Sequence, residues 1–311
     1  MRFISLILLF AIGTFSEIDF SSLMYDYSDI PDLVSYEARD HARLDYRYYP
    51  SSSKNLVIIF HGSGYHSRYL YKLAKTLSDG KVAQVATPDL RGHGVRPIKR
   101  GDIDYIGQLD DDLDDFVQFC ITTYRPENIF IAGHSSGGGL ALRLMGNDKR
   151  HQADGYVLLA PYLAHDAPTT NTKSGWAKPS MIKVILAHTL NSFGLHWLDH
   201  SVTIEFNLPK EYRDGSETLA YSHALVTSFS PTDYQNDIQK TSKKTLVVVG
   251  KDDEAMNASE YPKLLHTNTN FELIILPKIN HMGIVTNDDA ARVIGKWMSN
   301  HKNSKKPKKS S

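Results

Sequence analysis

The residues best suited to covalent chemistry are residues 133–137, whose sequence GHSSG matches the pattern G-x-S-x-G. An apolar run at 129–132 precedes them, and a helical pattern of apolar residues follows at 140–145. A strand, a tight turn and a helix in this order are the setting in which the central serine of the pattern is a nucleophile. The segment therefore predicts a nucleophile elbow at Ser135. An ordinary glycine-rich turn between a strand and a helix is the alternative.

A serine hydroxyl needs a base to remove its proton, and the base needs a third group to fix its tautomer. Residues 271–276 form an apolar run that leads into His281. A second apolar run, at 245–249, leads into three carboxylates, which are Asp252, Asp253 and Glu254. An acid and then a histidine, each just past a strand and both after the serine, is a known order for such triads. The order predicts His281 as the base and a carboxylate of this group as its partner.

Acyl transfer also needs donors for a developing oxyanion, which are usually two backbone N–H groups. Ser136 follows the nucleophile and offers one of them at the start of the predicted helix. The second donor is expected in the loop HGSG at 61–64, after the apolar run 56–60, with Ser63 as the favoured residue. A plain glycine-rich turn is the alternative for this loop.

The remaining histidines predict neither a metal site nor a cofactor site. His61 and His93 lie in glycine-flanked turns and are expected to hold loops by hydrogen bonds. His134 occupies the variable position of the elbow. The histidines of the region after residue 164 lack a metal-ligand spacing such as H-E-x-x-H. We therefore expect no cofactor and no metal.

Composition excludes some classes of protein. The 311 residues contain 35 basic and 35 acidic side chains, a balance that gives no indication of a nucleic-acid partner. The single cysteine, Cys120, excludes an internal disulfide. Its helical pattern of apolar neighbours predicts that it is buried.

The two ends of the chain have compositions of their own. Residues 1–16 have one positive charge, an apolar run and small residues at cleavage positions, which predicts a signal peptide and a secreted or periplasmic protein. An uncleaved membrane anchor and a merely hydrophobic N-terminus are the alternatives. Residues 301–311 are rich in lysine and predict a basic, disordered and solvated tail. Contact of the tail with an anionic surface is the alternative.

The elements between the two ends predict an α/β protein. Two strands near 35–39 and 44–49 come first, and six buried-looking strands alternate with helices after them. Such alternation indicates a mostly parallel sheet with helices on both faces. The strand rhythm stops at 164–240, where helices are expected near 179–195 and 216–229. The predicted organisation is a core at 35–163, a helical cap at 164–240 inserted after the sixth strand, and a second part of the core at 241–300.

Five motifs together resemble the α/β-hydrolase superfamily, and more narrowly its monoglyceride-lipase, lysophospholipase and serine-aminopeptidase branch. They are HGSG at 61–64, PDLRGHG at 88–94, GHSSGG at 133–138, GKDDE at 250–254 and INHMG at 279–283. The resemblance covers roughly residues 35–300. It implies an α/β-hydrolase fold with a lid at 164–240. It also implies a triad of Ser135, Asp253 and His281, with Ser63 and Ser136 as oxyanion donors.

Taken together, the motifs predict a serine hydrolase that cleaves carboxylic esters through an acyl-serine intermediate. The expected substrate is lipid-like, of the monoacylglycerol or lysophospholipid type, and a transient contact with a membrane or lipid surface is an open expectation. A serine aminopeptidase, a thioesterase or an acyltransferase on the same triad is the alternative. A non-catalytic binding protein on the same scaffold is a further one. The oligomeric state stays open.

One stretch of the predicted cap is unusually apolar. Residues 181–198 contain one charge, Lys183, and their apolar residues occupy nearly every side of a helical projection. In one interpretation, contacts with the rest of the chain bury all of these sides. In the other, one side packs on the main domain and another faces the space above Ser135, where it receives an acyl chain.

Overall fold

The computed structural model describes residues 17–146 and 153–301. The predicted signal peptide at 1–16 and nearly all of the predicted basic tail lie outside these residues, so both stay predictions. In the described part of the chain, no helix is both long and apolar enough to span a membrane.

The first part of the core alternates strands and helices, as the sequence predicts. Its strands and helices, in chain order, are β1 (Val34–Glu37), β2 (Arg43–Tyr49), β3 (Asn55–Phe60), α1 (Tyr71–Asp79), β4 (Gln84–Pro88), α2 (Gln108–Tyr124), β5 (Asn128–His134), α3 (Ser136–Gly146) and β6 (Gly155–Leu159).

A segment with its own small sheet follows β6. Its strands and helices are β7 (Ala177–Pro179), α4 (Met181–Ser192), β8 (Val202–Phe206), β9 (Ala220–Ser222), α5 (His223–Phe229) and α6 (Tyr234–Lys240). The second part of the core then consists of β10 (Thr245–Gly250), α7 (Tyr261–Leu265), β11 (Phe271–Leu276), α8 (Gly283–Thr286) and α9 (Asp288–Asn300). Single 3-10 turns lie at Ser21–Leu23, Ser67–Leu70, Lys210–Tyr212 and Ala258–Glu260.

Eight of the described strands form one sheet in the order β1-β2-β4-β3-β5-β6-β10-β11. The strands from β4 to β11 in this order are parallel, whereas β1 and β2 pair antiparallel at one edge. Every residue of β3, β4, β5, β6 and β10 is buried, so both faces of the centre of the sheet are covered. The predicted mostly parallel α/β architecture is therefore confirmed. Cys120 of α2 is buried, as expected, and burial raises the pKa of its thiol.

The edge strand β11 is less buried than the sequence suggests. Only Leu276 of its six residues is buried, and Ile275 is 36% exposed, because β10 alone pairs with it among the described strands. The fourth strand, β4, occupies Gln84–Pro88. There its hydrogen bonds to β2 and β3 fix its ends.

The inserted segment is less helical than predicted. β7, β8 and β9 form a three-stranded antiparallel sheet. The helix expected at 216–229 begins only at His223, because residues 220–222 pair with β8 as a strand. The segment leaves the core after β6 and returns to it before β10, and these two strands are neighbours in the main sheet.

The helix α4 corrects one of the two interpretations of the apolar stretch. Ala187 is its only buried residue, so the interpretation in which tertiary contacts bury every side is wrong. Three residues of the stretch are more than three quarters exposed: Ile182 (82%), Phe193 (76%) and Trp197 (77%). The helix ends at Ser192, short of the predicted residue 195, and Gly194 follows it with a positive φ of 73°.

Candidate active site

The backbone at Ser135 has the reversal that a nucleophile elbow requires. Ser135 lies between β5 and α3 with a φ of 55°, a left-handed conformation that is uncommon for residues other than glycine. Its carbonyl oxygen accepts hydrogen bonds from the amides of Gly138 and Tyr162, both at 2.9 Å, and these bonds hold the turn. The predicted strand, turn and helix are thus present, with the Ser135 side chain in the wall of a cavity.

Two glycines of the motif make this reversal sterically feasible. A Cβ atom on Gly133 would lie 2.0 Å from the carbonyl oxygen of Gly137. A Cβ atom on Gly137 would lie 2.5 Å from the carbonyl oxygen of Phe60, at the end of β3. Real Cβ atoms do not come this close to backbone atoms, so both positions require glycine.

Asp253 and His281 are in direct contact, as the resemblance implies. Both follow strands, β10 and β11 respectively, whose carboxyl ends lie at the same edge of the sheet. Nδ1 of His281 lies 3.0 Å from Oδ1 and 2.9 Å from Oδ2 of Asp253. The amides of Ala255 and Met256 donate to Oδ1 of Asp253 at 2.9 and 2.7 Å and fix the carboxylate. Nδ1 of His281 therefore carries the proton, and its Nε2 is left to act as a base.

The electrostatics of this pair favour a charged imidazole. Burial opposes the charge, but the carboxylate of Asp253 outweighs burial, and the pKa of His281 lies above its ordinary value of 6.5. The side chains of the pair are 3% and 0% exposed, so water screens their interaction very little.

A buried relay connects His281 to the loop that contains Ser63. Nε2 of His134 lies 3.1 Å from the carbonyl oxygen of His281, so this nitrogen must carry a proton and donate it. Nδ1 of His134 consequently accepts a hydrogen bond from the hydroxyl of Tyr69 at 2.9 Å. The hydroxyl oxygen of Tyr69 accepts the amide of Gly62 at 2.6 Å. Burial and the neighbouring His281 hold the pKa of His134 well below its ordinary value, so the relay stays neutral.

A second relay reaches the same loop from the inserted segment. Nδ1 of His93 faces the carbonyl oxygens of Leu90 and Arg91 at 3.2 and 3.1 Å and therefore carries its proton. Nε2 of His93 accepts from the hydroxyl of Tyr221, and the oxygen of Tyr221 accepts the amide of Gly64 at 2.9 Å. Burial and the neighbouring His61 lower the pKa of His93 far below its ordinary value.

The two relays leave one amide of this loop without a partner. The amides of Gly62 and Gly64 are both occupied, whereas the amide of Ser63, between them, has no acceptor among the described residues. Ser136 is the first residue of α3, so its amide has no acceptor inside the helix. These two N–H groups, one in the loop after β3 and one at the start of α3, can stabilise negative charge on an oxygen bound at Ser135.

A cavity of about 270 Å³ opens beside these residues, under the inserted segment. Ser63, Ser135, Ser136 and His281 lie in its wall. The other side chains that line it are mostly apolar and come largely from the inserted segment; they include Trp176, Met181, Val184, Ile204, Phe206, Val226 and Phe229. The side chain of Trp176 also donates a hydrogen bond to Oγ of Ser63 at 3.1 Å.

The structure thus brings all five predicted site residues to one cavity or its direct contacts. The expected loop-holding roles of His61 and His93 are confirmed, because His61 accepts the amide of Leu90 at 3.1 Å and His93 joins the second relay. The sequence did not indicate Tyr69 or Tyr221, which are 65 and 128 residues from their histidine partners. No sequence spacing could have revealed these partners.

Comparison with known proteins identifies the family and the fold that this chain resembles. The family model described as serine aminopeptidase, S33, matches residues 51–288. Human monoglyceride lipase is 29% identical over 167 residues, which cover 53% of this chain and 50% of that protein. Phospholipase YtpA of Bacillus subtilis is 30% identical over 109 residues, which cover 35% of this chain and 40% of that protein.

The matched regions therefore span half or less of the length of these two relatives. A solved structure of a soluble variant of monoglyceride lipase from Saccharomyces cerevisiae, in complex with a substrate analog, is similar over 90% of this chain and 99% of that one. Its TM-score is 0.70 at 19% identity, a likeness of fold.

The contact between Asp253 and His281 predicts a raised pKa for the imidazole of His281, which can be measured. We expect NMR titration to place the pKa of His281 above 6.5 in the native chain. The Asp253→Asn variant should lower it, because burial is then opposed only by the smaller effect of Glu254. The neighbouring Asp252→Asn variant is the matched control, since Asp252 is exposed and should leave the pKa nearly unchanged. Equal effects of the two variants would contradict the assignment.

Proposed function

Because the chain belongs to the serine aminopeptidase S33 family, we propose that it is a serine hydrolase that cleaves carboxylic esters with an apolar acyl chain. The observation that carries the proposal is the apolar cavity of about 270 Å³ with Ser135 and His281 in its wall. Such a cavity stabilises an acyl chain by removing it from water. The acyl chain lies along the inserted segment, and the carbonyl carbon lies at Ser135.

The proposed reaction follows from the roles of the four groups. Nε2 of His281 takes the proton of Ser135 while the serine oxygen attacks the carbonyl carbon. The carbonyl oxygen becomes negative and binds the amides of Ser63 and Ser136. The protonated His281 then gives its proton to the departing alcohol, and an acyl-serine remains. Water attacks the acyl-serine by the same steps in reverse and releases the acid.

Asp253 orients and stabilises the ring of His281 during this cycle. Its carboxylate stabilises the imidazolium of His281 in the two transition states and keeps Nε2 directed to the reacting atoms. Its two backbone donors, the amides of Ala255 and Met256, hold that orientation in every state.

The lining of the cavity favours an ester over an aminopeptidase substrate. A free α-ammonium group in an apolar cavity needs a carboxylate partner, because a buried unpaired charge is costly. Among the described residues, neither the large cavity nor the small one beside Ser135 has an aspartate or glutamate in its lining. The relatives named as lipases or phospholipases are in keeping with a lipid-like ester, of the monoacylglycerol or lysophospholipid type.

We further propose that α4 and the residues after it contact a lipid surface. Ile182, Phe193 and Trp197 expose large apolar side chains, and the single charge of the stretch, Lys183, is bonded to the carbonyl oxygen of Val202. An exposed helix with such side chains favours the boundary of a lipid layer. The same helix lines the cavity through Met181 and Val184, so a lipid that leaves the layer enters beside Ser135.

The assignment of the nucleophile predicts opposite results for two adjacent serines. Ser135→Ala should reduce ester turnover by about 10⁴–10⁶ and abolish labelling by a fluorophosphonate probe. Ser136→Ala should keep substantial activity, because its backbone donor survives the substitution. Labelling and turnover of both purified variants are the measurements. An inactive Ser136→Ala and an active Ser135→Ala would refute the assignment.

The cavity predicts how the rate depends on acyl length. With p-nitrophenyl esters from acetate to decanoate, kcat/KM should rise several-fold per added carbon over short chains, since each buried methylene contributes up to ~0.8 kcal/mol. Val184→Phe should move the optimum to shorter chains, because residue 184 lines the cavity. Ile182→Phe, at an exposed position of the same helix, is the matched control. A flat profile, or a preference for aminoacyl amides, would contradict the proposal.

The exposed apolar side chains predict binding to vesicles. We expect the chain to co-sediment with phosphatidylcholine vesicles, and the combined Ile182→Ser, Phe193→Ser and Trp197→Ser variant to lose at least ten-fold in partitioning. Hydrolysis of a short water-soluble ester should be unchanged. The control replaces Val95 and Ile98 by serine, two exposed apolar residues outside the inserted segment. Equal partitioning of the two variants would exclude α4 as the contact.

A further inference from the structure

The segment that precedes the main sheet, residues 17–23, passes directly beside the site. Ile18 and Phe20 are buried, and both lie in the wall of a small cavity that also contains Ser135 and His281. The segment is neither a strand nor a helix of the core, and none of the motifs found in the sequence includes it. Its position at the site is therefore information that only the structure supplies.

Hydrogen bonds attach this segment to the loops that hold the triad. The amide of Asp19 donates to Oε1 of Glu254 at 3.1 Å, and the amide of His281 donates to Oε2 of the same carboxylate at 2.9 Å. The side-chain amide of Asn280 donates to Oδ2 of Asp19 at 3.4 Å. One carboxylate, Glu254, thus bridges the segment and the backbone of His281.

The small cavity has little room. Its volume is about 20 Å³, which is space for about one water molecule. The ring of Phe20 packs against the rings of Tyr65, Trp176 and Tyr212, with centroid distances of 6.3, 5.4 and 5.7 Å. These contacts fix the ring in the wall of the cavity.

A larger cavity of about 160 Å³ lies behind this aromatic cluster. Tyr65 and Tyr69 line both the small cavity and this second one, and Tyr212 lines the second. Polar side chains, including Arg68 and Asp214, also line the second cavity. The ring of Phe20 lines the small cavity and packs against Tyr65 and Tyr212, which line the second, so removal of the ring would widen the small cavity on the side of these tyrosines.

An ester has two parts on either side of its carbonyl carbon, the acyl arm and the alcohol arm. The two cavities beside Ser135 that could receive them differ more than ten-fold in volume. The acyl arm requires the large apolar cavity. The alcohol oxygen must receive a proton from His281, which lines both cavities, and with the acyl arm in the large cavity the small cavity is left for the alcohol arm. The size of that arm is then limited by the side chains of the N-terminal segment.

We propose that Phe20, with Ile18, determines the size of the alcohol that the enzyme releases. This proposal rests on the proposed ester hydrolysis and extends it to the alcohol side. A small alcohol fits beside His281, whereas a bulky one meets the ring of Phe20. Of the two lipid classes above, an ester of glycerol is then hindered less than a lysophospholipid, whose larger alcohol also carries a phosphodiester.

The experiment varies the alcohol and keeps the acyl group constant. Methyl, butyl and benzyl octanoate are hydrolysed by the native chain and by Phe20→Ala, and acid release gives kcat/KM. In the native chain we expect the kcat/KM for methyl octanoate to exceed that for benzyl octanoate at least ten-fold. Phe20→Ala should reduce this ratio at least five-fold, because it opens the small cavity towards the second one. Phe20→Leu keeps an apolar side chain for packing and should give an intermediate ratio.

Met24→Ala is the matched control, because Met24 lies shortly after the segment, is 73% exposed and lines only the second cavity. Its ratio should equal that of the native chain. An unchanged ratio in a folded Phe20→Ala variant, or in Phe20→Leu if the former does not fold, would overturn the proposal. A change in the acyl-length profile of these variants, with a constant alcohol ratio, would also overturn it. Failure of the native chain to hydrolyse any octanoate ester would instead refute the proposed function itself.

Discussion

The left-handed backbone at Ser135 is the constraint on which the rest of the site depends. The reversal requires the end of β5 and the start of α3 to pass each other at van der Waals contact, and Gly133 and Gly137 allow this. It also brings α3 against the end of β3, where the loop containing Ser63 begins. One strained residue thus fixes the side chain of Ser135, the first amide of α3 and the position of the facing loop together.

Two neutral histidine relays hold the loop that contains Ser63 in place. Burial keeps His134 and His93 uncharged, so each ring has one donor and one acceptor nitrogen, and its hydrogen bonds can be satisfied in one arrangement. A buried amide without a partner costs about 1–3 kcal/mol, so the amides of Gly62 and Gly64 are held firmly by their tyrosines. The amide of Ser63 is consequently presented in a fixed direction at no further cost when charge develops.

Local patterns in the sequence sufficed for the elbow and the strands of the central sheet. The buried strands β3 and β5 are continuous apolar runs, and the elbow combines such a run with two glycines. The family resemblance favoured Asp253 over Asp252 as the partner of His281. The structure shows the physical reason, since only Asp253 faces His281.

Other features depend on contacts distant in sequence and were not predictable. The strands β7 and β9 have three residues each, too few to show a period, and they exist because β8 pairs with both. The relays join residues up to 157 positions apart, as in the bond from Gly64 to Tyr221. The apolar sides of α4 could not be divided into buried and exposed ones, because that division depends on where the inserted segment lies. The position of Phe20 beside Ser135 likewise depends on contacts between residues that are far apart in the sequence.

The inserted segment leaves the sheet at β6 and re-enters it at β10, two strands that are hydrogen-bonded to each other. Both anchor points are therefore fixed by the core, and the length of chain between them is under little constraint, since the entropy of closing a loop grows only slowly with its length. In evolutionary terms this makes the segment an exchangeable module. Natural variation can enlarge, shorten or reshape it, and so change which molecules are admitted, as long as Tyr221 still holds the amide of Gly64 beside the reaction centre.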